Sequence, residues 1–272
     1  MTTRRCVRYN HRCYAGTRLH ARTAGGVVAH DGPGFYDDAD IFATYMRHRQ
    51  QDETPNDTLE RPDLLDMIGE VTGLRVLDLG CGDAQIGREL LAAGAAAYLG
   101  VEPSTNMMQA GTATLADTAG QITQATIEAW DYPAATFDLA ISRLALHYVE
   151  DVATTFRQVF GALSPGGRFV FSVEHPVITS CNRALDGGGQ RHTWTVDNYH
   201  IEGRRATRWL GGDVVKYHRT VEVYVGSLLA AGFALEGLRE ASPRRAAFLR
   251  EETYRRRQRI PLFLLLAGRK PA

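Results

Sequence analysis

Val76-Leu77-Asp78-Leu79-Gly80-Cys81-Gly82-Asp83-Ala84-Gln85-Ile86-Gly87 carries an apolar strand straight into a glycine turn and then into a helix. Gly80 and Gly82 allow backbone conformations that side-chain-bearing residues resist. A ligand can therefore approach the main chain closely, where the first N–H groups of the helix have no intrahelical partner. Such a turn is a place to hold a cofactor. By itself it does not say which one, since nicotinamide, flavin and nucleoside binders all use a glycine turn after a strand.

Downstream, strand and helix alternate. Gln85 to Ala93 reads as a helix closed by Gly94, and Ala97-Tyr98-Leu99-Gly100-Val101-Glu102 as the next strand. Glu102 falls 24 residues after Asp78, at a strand end, where a doubly wound sheet places a carboxylate for the two ribose hydroxyls of a nucleoside. The plainer alternative is a solvated carboxylate. Ser104 can cap a helix over Thr105 to Ala116, and Ile122 to Ile127 reads as a third strand. Phe137 to Ser142 is a fourth strand, nearly continuous in apolar character, as buried parallel strands are. A helix over Asp151 to Leu163, a Pro165-Gly166-Gly167 turn and a fifth strand over Arg168 to Glu174 follow. The pattern predicts an α/β fold with a parallel sheet, helices on both faces and ligands at the carboxyl ends of the strands.

Upstream, residues 1–34 are arginine-rich without apolar periodicity and read as a disordered or peripheral extension. Residues 35–272 read as a single domain. From Phe35 to Met46 aromatic and aliphatic residues recur at helical spacing, and Asp63 to Gly69 reads as a second short helix, so residues 35–70 form an N-terminal helical lid. Between about residues 176 and 217 the alternation stops, Gly187-Gly188-Gly189 breaks the chain, and Trp194, Tyr199, His200, Trp209 and Tyr217 are spread among polar residues. An ordered insertion of this size is expected to be a substrate cap. The chain returns with a helix over Thr220 to Ala231, a strand over Ala234 to Glu240, an arginine-rich helix around Arg245 to Arg257 and a last strand over Leu262 to Ala267.

Acidic and basic residues balance at 31 each, so no global field favours nucleic acid or an anionic membrane. No apolar run approaches the roughly 20 residues of a bilayer span, and a cytoplasmic location is expected. Cys6, Cys13, Cys81 and Cys181 are too scattered for a disulfide framework. Cys6, His11 and Cys13 fit no common zinc spacing, so no metal is expected. Lys216 and Lys270 are the only lysines; that preference for arginine is read first as a coding bias.

In order and spacing, Val76 to Gly82, Gly100-Val101-Glu102-Pro103-Ser104, Phe137-Asp138-Leu139, Leu163-Ser164-Pro165-Gly166-Gly167 and Val173-Glu174-His175-Pro176 resemble the class I S-adenosylmethionine-dependent methyltransferases, particularly their bacterial small-molecule branch. The resemblance covers about residues 36–268. It implies a Rossmann-like, seven-stranded, mostly parallel sheet with one antiparallel strand, and S-adenosyl-L-methionine as cofactor. Asp78, Gly80 and Gly82 would cradle its methionine part, with Cys81 between them, and Glu102 would take the ribose hydroxyls beside Pro103 and Met107. The aspartate that often stands beside adenine is absent from Thr126-Ile127-Glu128, so main-chain groups of Ile127 and Glu128 would serve. The main chain at Ser142-Arg143 would close over the cofactor, and Tyr36, Tyr45 and Arg49 are candidates for its carboxylate. A nicotinamide enzyme is disfavoured because Gln85 stands where the dinucleotide fingerprint has its third glycine.

The expected reaction is a direct displacement onto an O, N or C atom of a small metabolite, aromatic or apolar, in secondary metabolism, with positioning supplying most of the acceleration. His147, after the fourth strand, is the first candidate base; a hydrogen-bonded core histidine is the alternative. Glu174 and His175 form a second candidate pair, or else hold the first turn of the cap. His218 could join His147 in a polar cluster, and Trp194, Tyr199 and Trp209 could wall the acceptor. The other readings are an enzyme of the same fold that binds the cofactor but catalyses a non-methylating step, and a non-catalytic cofactor-binding scaffold.

Overall fold

The computed structural model describes residues 31–181 and 194–272. A seven-stranded sheet runs in the order β3-β2-β1-β4-β5-β9-β8. It is built from β1 (Arg75–Leu79), β2 (Ala97–Val101), β3 (Gln121–Thr123), β4 (Phe137–Arg143), β5 (Leu163–Glu174), β8 (Ala234–Glu240) and β9 (Phe263–Arg269). Strands β1 to β5 pair in parallel, and β9 runs antiparallel to both β5 and β8. The sheet therefore has one antiparallel strand. Strand order reverses at β1, flanked by β2 and β4, and a crevice opens there at the carboxyl ends.

Both faces are covered because the strand residues alternate. Leu77, Leu79, Phe169 and Phe171 pack with Phe156 and Tyr224 of α6 (Val152–Ala162) and α8 (Val221–Ala230). Val76, Ile141, Val170 and Leu265 point the other way, onto α3 (Arg61–Ile68), α4 (Gln85–Ala92) and α5 (Thr105–Leu115). Asp78 shares the side of Val76 and ends β1 beneath the glycine turn. Ser104 caps α5 by accepting from the Met107 N–H, as its position predicts.

Several boundaries differ from the sequence expectation. The predicted helix from Phe35 is two helices, α1 (Gly32–Asp37) and α2 (Ala39–Arg49), because Asp38 turns extended and caps α2 through the N–H groups of Asp40 and Ile41. α1 begins inside the stretch expected to be an extension. β3 stops at Thr123, and Thr126 to Trp130 form a turn in which Thr126 O accepts from Ala129 and Trp130. The arginine-rich helix shortens to α9 (Glu251–Arg257), preceded by a single turn at Arg245–Ala247.

The insertion contains a short α7 (Pro176–Thr179) and a hairpin, β6 (Gly203–Trp209) with β7 (Gly212–His218). Trp209 pairs with Gly212 across the two-residue loop Leu210-Gly211, both at positive φ (47° and 89°), the tight hairpin turn whose twist suits paired strands. The triple glycine and the Cys6, His11 and Cys13 group lie outside the described residues.

Candidate active site

One cavity of about 850 Å³ opens over the carboxyl ends of β1, β2 and β4. At its glycine-turn end Asp78 is buried; Oδ2 accepts from the Tyr98 hydroxyl at 2.7 Å, and Oδ1 is buried with no hydrogen-bond partner among the described residues. Burial pushes the Asp78 carboxyl up to about 7; the Tyr98 hydrogen bond opposes this, and the Glu102 charge adds to it. Glu102 accepts from the N–H groups of Gly82 (2.8 Å) and Ser104 (3.0 Å), and burial raises it to about 7 as well.

The glycines are set by space as well as by conformation. A Cβ on Gly80 (φ +73°) would stand 2.3 Å from Ala145 Cβ, whereas one on Gly82 (φ +57°) would meet nothing within 4 Å and would project into open space. Cys81 lines the cavity with its thiol pushed well up by burial and by the charges of Asp78 and Glu102, so thiolate chemistry is suppressed. Pro103, Met107, Ile127 and Glu128 also line this end, and the Tyr132 hydroxyl fixes the turn by donating to Ile127 O at 2.8 Å.

Ser142 does not belong to the lining. It is fully buried and its hydroxyl donates to Leu79 O at 2.8 Å, joining β4 to β1. Arg143 does line the cavity, held by Glu60, which accepts from Arg143 Nε and from Ser172 Oγ at 2.7 Å each.

The N-terminal helices and the hairpin meet above the cavity in an aromatic seam. Phe35 stacks on Trp209 with centroids 5.5 Å apart, and Tyr36 and Tyr45 meet the same indole edge-on at 6.2 and 5.8 Å. The Tyr36 and Tyr148 hydroxyls are 3.3 Å apart. Arg49 donates to the Tyr45 hydroxyl (3.2 Å) and approaches Asp83 of the glycine turn (3.8 Å), tying α2 to β1's end. Tyr36, Tyr45, Arg49 and Trp209 all line the cavity.

At the hairpin end stand His147, Glu174 and a residue that the sequence did not single out for chemistry, Lys216. Its Nζ is 2.6 Å from Glu174 Oε1 and lies over the rings of Trp209 (5.4 Å) and Tyr148 (5.8 Å). Burial pushes Glu174 up and Lys216 down, but each offsets the other's penalty, so the carboxylate sits below its usual range and the ammonium above its own. Burial, reinforced by Lys216 and Arg219 and opposed by Glu174, lowers His147 to about 3, so the ring is neutral. Its Nδ1 accepts from the Glu174 N–H at 3.4 Å, which places the proton on Nε2. Lys216 had one sequence signal: it is one of two lysines in a chain otherwise given to arginine.

The other histidines are elsewhere. His175 accepts from the Val177 N–H through Nδ1, starting α7, and turns Nε2 to Glu240 at 2.9 Å. His218 bridges Thr179 Oγ1 (2.7 Å) and Tyr199 O (2.9 Å). Neither is among the residues lining the cavity: His175 is held by Val177 of the insertion and Glu240 at the end of β8, and His218 by Thr179 and Tyr199 of the insertion. Trp194 and Tyr199 are likewise outside it, the Trp194 Nε1–H donating to Val177 O at 3.1 Å.

The profile of the methyltransferase domain family matches residues 77–171. A solved S-adenosylmethionine-dependent methyltransferase from Mesorhizobium loti is 44% identical, superposes with a TM-score of 0.71, and covers 77% of this chain and 97% of its own. A second, assigned to the same class, from Listeria monocytogenes, is 31% identical with a TM-score of 0.71, covering 78% and 97%. The chain belongs to the S-adenosylmethionine-dependent methyltransferases. An uncharacterized protein of Haemophilus influenzae is 29% identical over 217 residues, 75% of this methyltransferase and 85% of the relative. The cofactor of this methyltransferase is S-adenosylmethionine, and the cavity offers two features suited to it: an unsatisfied buried carboxylate oxygen at Asp78, and open space above Gly82. Among the described residues no group of His, Cys, Asp and Glu is placed to hold a metal, and no helix is long and apolar enough to cross a membrane.

Proposed function

We propose that this methyltransferase moves a methyl group onto an O, N or C atom of a small-molecule metabolite that enters between the N-terminal helices and the hairpin. The observation that carries the reading is that one cavity continues from the unsatisfied Asp78 oxygen to the seam of Tyr36, Tyr45, Tyr148 and Trp209. When bound, S-adenosylmethionine supplies an electrophilic methyl on a positively charged sulfur. The chain's residues hold and screen it. Asp78 Oδ1 would accept from the ammonium, and Glu102, whose oxygens each retain a second lone pair beside Gly82 and Ser104, would accept from the ribose hydroxyls. The turn at Ile127-Glu128, which lines the cavity, would flank the adenine. The aromatic seam keeps water from the acceptor and orients it, which is where most of the acceleration of a direct displacement arises.

The test is incubation of the protein and S-adenosylmethionine with the ultrafiltrate of a cell extract and, separately, with the retained macromolecules. Formation of S-adenosylhomocysteine with the ultrafiltrate is expected. Formation only with the macromolecular fraction overturns the small-molecule reading, and bound cofactor without product in either arm overturns methyl transfer itself.

A further inference from the structure

Lys216 enters the cavity from β7 with its side chain only 4% exposed and its ammonium on Glu174 Oε1. The faces of Trp209 and Tyr148 that would attract a cationic acceptor are therefore already turned to the protein's own cation. Of the other charges near this end, Arg219 does not line the cavity and gives Nη2 to the carbonyls of Val149 and Glu150, its Nη1 being buried without a partner among the described residues; Arg143 is held by Glu60, Glu150 accepts from the Tyr217 hydroxyl, and Asp151 caps α6. Glu174 Oε2, by contrast, makes no hydrogen bond to any described residue, and its side chain, 25% exposed, lines the cavity. A cation and a free carboxylate oxygen thus share one carboxyl group, next to two aromatic faces and a neutral imidazole.

We propose that Lys216 and Glu174 select and ionise an acceptor bearing an acidic hydroxyl, a phenol or an enol, and hold it as its oxyanion. This rests on the methyltransferase reading above and narrows it to oxygen-bearing planar acceptors. The acceptor O–H bond breaks, the proton forms a new bond to Glu174 Oε2, and the electron pair stays on the acceptor oxygen, which faces the Lys216 ammonium. After methylation the proton leaves Oε2 for solvent, restoring the pair. Glu174 is a weak base beside Lys216, so it can take a proton only from a hydroxyl that the ammonium has already made acidic. An aliphatic alcohol does not qualify. His147, with Nδ1 engaged by the main chain, is a donor to the ring or its substituent rather than the base.

The experiment uses the intact protein saturated with S-adenosylhomocysteine and the chromophoric phenol 4-nitrophenol, whose phenolate absorbs in the visible. The bound phenol is expected to ionise at a pH lower than the free phenol by about 1 to 3. In Lys216→Met that lowering is lost. Removing Lys216 leaves the partly buried Glu174 unpaired, so the double variant Glu174→Gln with Lys216→Met, which leaves no uncompensated charge, is measured beside it. Retained S-adenosylhomocysteine affinity shows that each variant is folded. Equal ionisation in wild type and double variant overturns the proposal, as does failure of 4-nitrophenol to bind while a trimethylammonium arene binds. Absence of S-adenosylhomocysteine binding in the wild type overturns the donor reading instead, and the proposal with it.

Discussion

Asp78 has one carboxylate oxygen satisfied by Tyr98 and one left bare in a buried position, an arrangement that costs the empty protein stability and is repaid by a cationic ligand. Asp78→Asn keeps an acceptor for Tyr98 and removes the buried charge. It should leave the fold at least as stable and weaken S-adenosylhomocysteine binding roughly 10- to 150-fold, the equivalent of a hydrogen bond to a charged group; thermal melting and calorimetry read the two effects separately. The pH dependence has a definite sign. Asp78 and Glu102 both titrate near 7 in the folded protein against about 4 in an unfolded chain, so the fold holds extra protons between those values. The contribution of these two groups to stability is fully present below about pH 4 and is lost as pH rises through 7. A bound ammonium favours the charged form of Asp78, and ribose hydroxyls favour that of Glu102, so ligand affinity should rise between pH 6 and pH 8 by up to about tenfold in all for each carboxylate, with proton release visible in buffers of different ionisation heat. His147, already neutral at pH 6, contributes nothing to this: His147→Gln should keep the same slope. Asp78 and Glu102 were legible in the sequence because strand ends and glycine turns are local signals. Glu174 was also singled out at its strand end, but its pairing with Lys216 was not legible, since 42 residues separate the two and only the folded hairpin brings them together.

The elements that roof the cavity depend on one another. Gly212 at the hairpin turn has no room for a side chain, because a Cβ would stand 2.7 Å from Ile41 and 2.9 Å from Phe35, and Trp209 fills the seam between α1, α2 and β6. Trp209→Ala should raise amide exchange in residues 32–49 and in β6–β7 together while leaving β1, β4 and β5 protected; exposure confined to the hairpin contradicts a shared roof. Beneath the turn, Gly87 of α4 lies against the Tyr98 ring, where a Cβ would come within 2.3 Å. Gly87→Ala should cost about 1–3 kcal/mol in denaturant unfolding, as overpacking does, and weaken ligand binding because Tyr98 positions Asp78. The roof is also where sequence patterns gave least. Residues 35–46 show helical spacing, yet one capping aspartate, Asp38, breaks them in two, and the alternation of β6 is masked by the arginines at 204, 205 and 208. A hairpin docked on helices rather than on the main sheet leaves only the Leu210-Gly211 turn as a local sign.

At the scale of the whole molecule, the alternation from Arg75 to Glu174 carries the parallel half of the sheet almost unchanged from expectation, because buried strands and amphipathic helices each advertise their own period. The antiparallel β9 between β5 and β8 followed from family resemblance, not from periodicity, since an apolar run such as Phe263 to Ala267 has no direction of its own. On the proposed reading the cofactor binds at the sheet's switch point and the acceptor under the roof, so a ligand at the switch point should stabilise the entire domain. At about 100 times its Kd, S-adenosylhomocysteine should add about 2.7 kcal/mol and raise the melting temperature by roughly 5 to 10 °C. The most direct test of the cradle is calorimetric titration of the intact protein with S-adenosylhomocysteine at pH 8, in wild type and Asp78→Asn. One site per chain, roughly 10- to 150-fold weaker in the variant and indifferent to nicotinamide dinucleotide, is the predicted result. No binding by the wild type, or equal affinity in the two proteins, contradicts it.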